Sequence, residues 1–144
     1  MRGTEVRAAV KSAIEAITPD NMAHKRDRFF VADAGSSEAP PFDRQCFLER
    51  TRPQEPTRRI VGTGSPYSLE FELAVVYVNT PTLSDRVLKD GDLIIDSILS
   101  LETDKATYQQ IHEVSITGLH DQIDENLRMC SYTITVIYDR RDPS

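Results

Sequence analysis

The chain is poor in the features that mark a disulfide scaffold, a membrane span or a phosphate binder. Its 144 residues include two cysteines, Cys46 and Cys130. Both sit among β-prone residues, where a free thiol behaves as a small buried hydrophobe, so a reducing compartment fits. A single bridge between them is the alternative that the sequence leaves open. No apolar run approaches the roughly 20 residues that a bilayer span needs. The opening MRGTEVRAAVKSAIEAI spreads its charges through the segment instead of placing a basic cap before an apolar centre. A soluble protein without a signal peptide or membrane contact is expected. Positive charge is short as well: 17 Lys and Arg face 23 Asp and Glu, a formal charge of −6. Tight nucleic-acid binding draws on clustered Lys and Arg, so this balance opposes it.

Catalytic signatures are missing too. His112, His120, Asp121, Asp124 and Glu125 lie near one another in sequence, but their spacing fits no metal motif, and an acidic hairpin loop is ordinarily solvated. Asp92 and Asp96 stand at i and i+4, where carboxylates meet on a helix face, yet they fall opposite the apolar stripe and read as a solvent-facing side. The run Gly62-Thr63-Gly64-Ser65-Pro66 lacks the Lys-Ser/Thr ending of a phosphate loop and precedes a strand. No triad or nucleotide motif is found. The sequence therefore calls for no catalytic residue, no metal and no cofactor.

What remains is a well-patterned core. With 39% hydrophobic and 28% charged residues, the chain has the composition of one folded domain over 1–144. Val6, Ala9, Val10, Ala13, Ile14 and Ile17 recur at helical steps, with Thr4 as N-cap and Pro19 as the stop. Phe29 to Val31 and Gln45 to Thr51 read as short strands. In Ser68 to Val78, Leu69, Phe71, Leu73, Val75 and Tyr77 share one face. A second helix over 82–101 aligns Leu83, Val87, Ile94, Ile98 and Leu101, joined by Leu88, Ile95 and Leu99. Gly91 either packs closely inside this helix or delays its start to Asp92. Two strands follow, Ile111 to Gly118 and Leu127 to Tyr138, joined by the loop LHDQIDEN, and the tail 139–144 is expected to fray. These elements predict an α+β fold: a mostly antiparallel five-stranded sheet with both helices on one face, in the order α-β-β-β-α-β-β. Proline, glycine and serine at about 34–66 predict a projecting hairpin arm that carries Arg50, Arg52, Arg58 and Arg59.

The N-terminal helix ending at Ile17-Thr18-Pro19, the strand LEFELAVVYV leading into LSDRVLKDGDLIIDSIL, and the closing strand CSYTITVIYD together resemble the tail terminator, or tail completion, proteins of long-tailed phages and gene transfer agents. The resemblance is architectural and covers most of the chain. It implies a structural virion protein, assembled in the host cytoplasm and placed at the head-proximal end of the tail. Such subunits form a closed ring, usually a hexamer, that stops tube polymerisation and offers a surface for head joining. Its partners would be copies of itself, the tail tube protein and a head-completion or neck protein, with DNA passing through unbound. On this reading Phe42, Arg50, Arg52, Arg58 and Arg59 are interface candidates, and Asp121, Asp124 and Glu125 are candidates for a phosphate-repelling lumen. A neck or head-completion protein, a small protein-binding module, and a metal-dependent hydrolase or nuclease are the alternatives.

Overall fold

The computed structural model describes residues 1–19, 28–32, 43–57, 66–78, 83–123 and 126–140. Helix α1 spans Gly3–Glu15 and α2 spans Leu83–Thr103, and the strands are β1 Phe30–Val31, β2 Gln45–Arg50, β3 Glu55–Pro56, β4 Pro66–Val78, β5 Ile111–Ile123 and β6 Leu127–Asp139. One sheet runs in the order β1-β2-β4-β6-β5, with β3 also on β4. Every pairing is antiparallel except β1 with β2, which is parallel. The α+β class matches the sequence reading. The expected five strands become six among the described residues, four of them between the helices.

The added strand is Glu55–Pro56, within the stretch whose prolines read as a break. Pro56 is tolerated because the pairing is a marginal, two-residue one against Tyr67 and Ser68. This also corrects the projecting arm. Over 51–57 the chain is tied to the sheet: the Thr51 and Thr57 amides donate to the Glu70 and Pro66 carbonyls at 3.0 Å each, and Gln54 Oε1 accepts from the Tyr138 hydroxyl at 2.7 Å. The parts of the arm at 34–42 and 58–65 lie outside the described residues.

Alternation places the core where the sequence put it. Leu69, Phe71, Leu73, Val75 and Tyr77 are all buried, and across the ladder they meet Val136, Ile134, Tyr132, Cys130 and Arg128. Val6, Val10 and Ile14 of α1 join the same cluster as Leu83, Ile94, Ile98 and Leu101 of α2. At about 25 cal/mol per Å² of apolar surface removed from water, this shared cluster is what holds both helices to the sheet. The helices also meet each other, through Ser97 Oγ donating to the Ala13 carbonyl at 2.7 Å. Gly91 is buried inside an uninterrupted α2, and a Cβ there would sit 3.0 Å from the Tyr132 hydroxyl. Close packing is thus its role.

Three boundaries differ from the sequence reading. The N-cap of α1 is Arg2, not Thr4. The Met1 ammonium donates to the Asp139 and Arg140 carbonyls at 3.2 Å each, and Glu5 Oε1 accepts from the Arg2 amide at 3.2 Å, so the helix starts as soon as the chain leaves the sheet. The same contacts hold 139–140, so fraying does not begin at Asp139; 141–144 lie outside the described residues. The loop LHDQIDEN is mostly strand. A register shift between Gly118 and His120 absorbs one residue, and the ladder then continues to Ile123 opposite Arg128.

Candidate functional site

The most concentrated polar chemistry is sealed inside the fold. Arg44 Nε and Nη2 donate to Asp90 Oδ2 and Oδ1 at 2.8 and 3.1 Å, and the Tyr77 hydroxyl donates to Asp90 Oδ2 at 3.0 Å. Arg44 and Asp90 are 2% and 1% exposed, so the pair is out of reach of a solute. Burial alone would lower the Arg44 pKa, but the hydrogen bond and charge of Asp90 outweigh it and raise the value. Burial, then the Asp90 charge, pushes the Tyr77 phenol up as well. The geometry serves to join β2, β4 and α2. Beside it, Arg86 and Asp43 form a second ion pair, and Asp43 Oδ1 accepts from the Val78 amide at 3.0 Å.

Sequence reasoning missed this network, although a signal was present. Asp90 occupies a core position of the α2 stripe, between Val87 and Ile94, and a carboxylate there requires a buried partner. Arg44 has φ of 62°, the left-handed region that a non-glycine side chain rarely adopts. That conformation turns the chain into β2 and aims the guanidinium at α2.

The cysteines are free and buried. Both align with Val75, one from each side, so two strand spacings, about 9.6 Å, separate them, beyond the roughly 7 Å limit for a bridge. Burial raises the Cys46 thiol to about 12 and the Cys130 thiol to about 11. Neither is a nucleophile at neutral pH.

Of the interface candidates, Arg50 is exposed at the end of β2 opposite Phe71. Arg52 is exposed next to it, with Nε 3.7 Å from Glu70. Phe42, Arg58 and Arg59 lie outside the described residues, as do Asp124 and Glu125. Asp121 lies in β5, and Arg128 Nε donates to both of its carboxylate oxygens at 3.0 Å. Hydrogen bonding to Arg128 holds its carboxyl below the ordinary value. Arg128 also reaches Ser84 Oγ at 3.3 Å, which ties the hairpin to the start of α2. His112 is exposed on β5, and among the described residues no group of His, Cys, Asp and Glu is arranged to hold a metal ion.

The fold brings together arginines that the sequence keeps apart. Arg2, Gly3, Thr4, Gln54 and Arg140 line an open depression of about 550 Å³ at the start of α1. One turn on, Arg7 Nη2 donates to the Leu48 carbonyl at 3.1 Å, on the strand that ends in Arg50. This flank of the sheet is therefore rich in arginine, with exposed Glu5, Glu49 and Glu55 interleaved and exposed Pro53 and Pro56 beside them. The opposite flank is α2 over β5. There Leu88 is 70% and Leu99 39% exposed, with exposed Asp85, Asp92 and Asp96 around them and Ile95 half-buried between. Leu88 and Leu99 do not join the core as expected, because the buried stripe already closes through Val87, Ile94 and Ile98. The face of the sheet away from the helical core sets Glu49 opposite Glu72, with Glu70 two residues before Glu72 on β4 and opposite Thr135. Directly opposed like charges are destabilising in a sheet.

Neither a scan of protein-family models nor a search of curated proteins gives a match to the chain. No described helix is long and apolar enough to cross a membrane.

Proposed function

We propose that this chain is a structural ring subunit of a phage-type tail: a tail terminator that caps the tube, ends its growth and receives the head. The observation that carries the reading is the pair of unlike flanks. A ring of identical subunits needs two different patches related by a rotation that closes. An arginine-rich flank with Arg50 and Arg52 on one side of the sheet, and an acidic, apolar helix on the other, supply such a pair. The hydrogen-bonded sheet between them keeps their relative orientation fixed.

The acidic sheet face supports the same reading. Glu49 opposite Glu72 weakens the sheet on its own account. On a surface facing passing DNA, Glu49 and Glu72 would repel phosphate and keep the path free, with Glu70 partly offset by Arg52. Asp121 is a poorer lumen charge than it looked in the sequence, since Arg128 offsets it. The arrangement asks for no cofactor and no bound nucleic acid, and its partners are the tube, a neck or head-completion protein and further copies of itself.

Light scattering with negative-stain imaging tests the proposal. A closed ring, expected to be a hexamer, should appear in solution or on isolated tail tubes, and tubes assembled with the protein should stop at defined length. A chain that stays monomeric with tubes present would overturn it.

A further inference from the structure

We infer that the ring contact, if the chain is a ring subunit as proposed above, seats the outer face of α2 from one copy on the arginine flank of the next. The helix stripe is Leu88, Asp92, Ile95 and Leu99, at steps of four, three and four, so one side of α2 sets Asp92 among three apolar groups over about three turns. Leu88 and Leu99 are 70% and 39% exposed, and they are two of five large apolar side chains so exposed among the described residues. Asp85 and Asp96 border the stripe, leaving three exposed carboxylates against Lys89.

The receiving flank is rich in arginine, with exposed Glu5, Glu49 and Glu55 fewer than its five arginines. Arg50 and Arg52 are exposed on the segment leading out of β2, and Arg2, Arg7 and Arg140 stand behind them at the start of α1. Pro53 and Pro56 are exposed between the charges, and the arginine stems add apolar cover. Arg52 is held only at 3.7 Å by Glu70, so its planar fork remains able to accept a better carboxylate partner.

Charge decides which copy-to-copy contact forms. Two α2 helices packed about a two-fold axis would set Asp92 near Asp92 and Asp96 near Asp96, and two arginine flanks would repel in the same way. Only the head-to-tail contact puts unlike charges together. That contact leaves one free patch of each kind at its ends, as a ring requires.

Two double variants of the full chain test this: Asp92→Arg with Asp96→Arg, and Arg50→Glu with Arg52→Glu. All four positions are exposed, and circular dichroism checks that each variant folds. Assembly is read by light scattering over a concentration series, or on tail tubes. Each variant alone should assemble at least about tenfold more weakly than the parent, because every contact in its ring is like-charged. An equimolar mixture should regain parental assembly, because alternating copies match at every contact. Variants that assemble as well as the parent would overturn this interface and leave the ring reading standing. Weakening by the first variant alone would assign a two-fold helix contact instead and overturn the proposal. A parent chain that never assembles removes the ring reading and the interface with it.

Discussion

Replacing Asp90 by alanine removes the carboxylate that Arg44 Nε and Nη2 both bond, at a site where Arg44 is 2% exposed. Loss of one partner from a buried pair costs about 3–5 kcal/mol, so urea unfolding of Asp90→Ala should give an unfolding free energy lower by that amount, seen as a lower midpoint at constant slope. Replacing both partners, Arg44→Met with Asp90→Leu, should recover most of the loss, because an apolar pair of similar volume removes the desolvation penalty along with the attraction. The network then matters chiefly for fixing how β2, β4 and α2 meet. Asp121 answers to pH in a different way. Its carboxyl titrates below the ordinary 3.8 in the folded chain, so its pairing with Arg128 stabilises fully above that value and is lost as pH falls through the folded one. The carboxylate side chain is 41% exposed, which limits the effect to about 0.2–1 kcal/mol. Thermal melts of Asp121→Asn should therefore fall slightly below the parent at pH 7 and converge with it near pH 2.

Among the elements, the outermost strands share one device. The Val31 amide of β1 donates to Glu15 Oε2 at 3.3 Å, and the Val114 amide of β5 donates to Glu102 Oε1 at 2.9 Å. Lys105 Nζ adds a donor to the Ile111 carbonyl at 2.7 Å. Each helix thus lends a side chain from near its C-terminal end to the ladder beside it, occupying groups that would otherwise recruit a foreign strand. Glu15→Ala combined with Glu102→Ala should lower stability by about 1 kcal/mol per cap and raise light scattering on heating relative to the parent. The helices and the long strands were legible in the sequence because each has one apolar face at a clean period. Glu55–Pro56 was not, since its pairing depends on Tyr67 and Ser68 rather than on any local pattern. The run 119–123 was hidden by its polar composition, which the bulge at Gly118 makes compatible with a strand. For the candidate site, Arg50 and Arg52 were visible as a local cluster. Arg2, Arg7 and Arg140 were not, because only the closure of α1 against β2 and β6 brings them near.

For the whole molecule, one sheet holds two flanks of opposite character at a fixed separation, and that rigidity is what a ring subunit needs. The sheet order has another consequence, which lies in time rather than in space. Strand β6 follows β4 and β5 in the chain, yet it lies between them and pairs with both along their length. During synthesis β4, α2 and β5 leave the ribosome with no sheet joining them, since neither β4 nor β5 pairs with the other. The Met1 ammonium likewise waits for the carbonyls of Asp139 and Arg140. Completion of the sheet therefore waits for β6, and such long-range pairing is slow. Until then the two flanks are not held in one frame, so on the reading proposed above a nascent chain has no fixed pair of patches with which to join a ring.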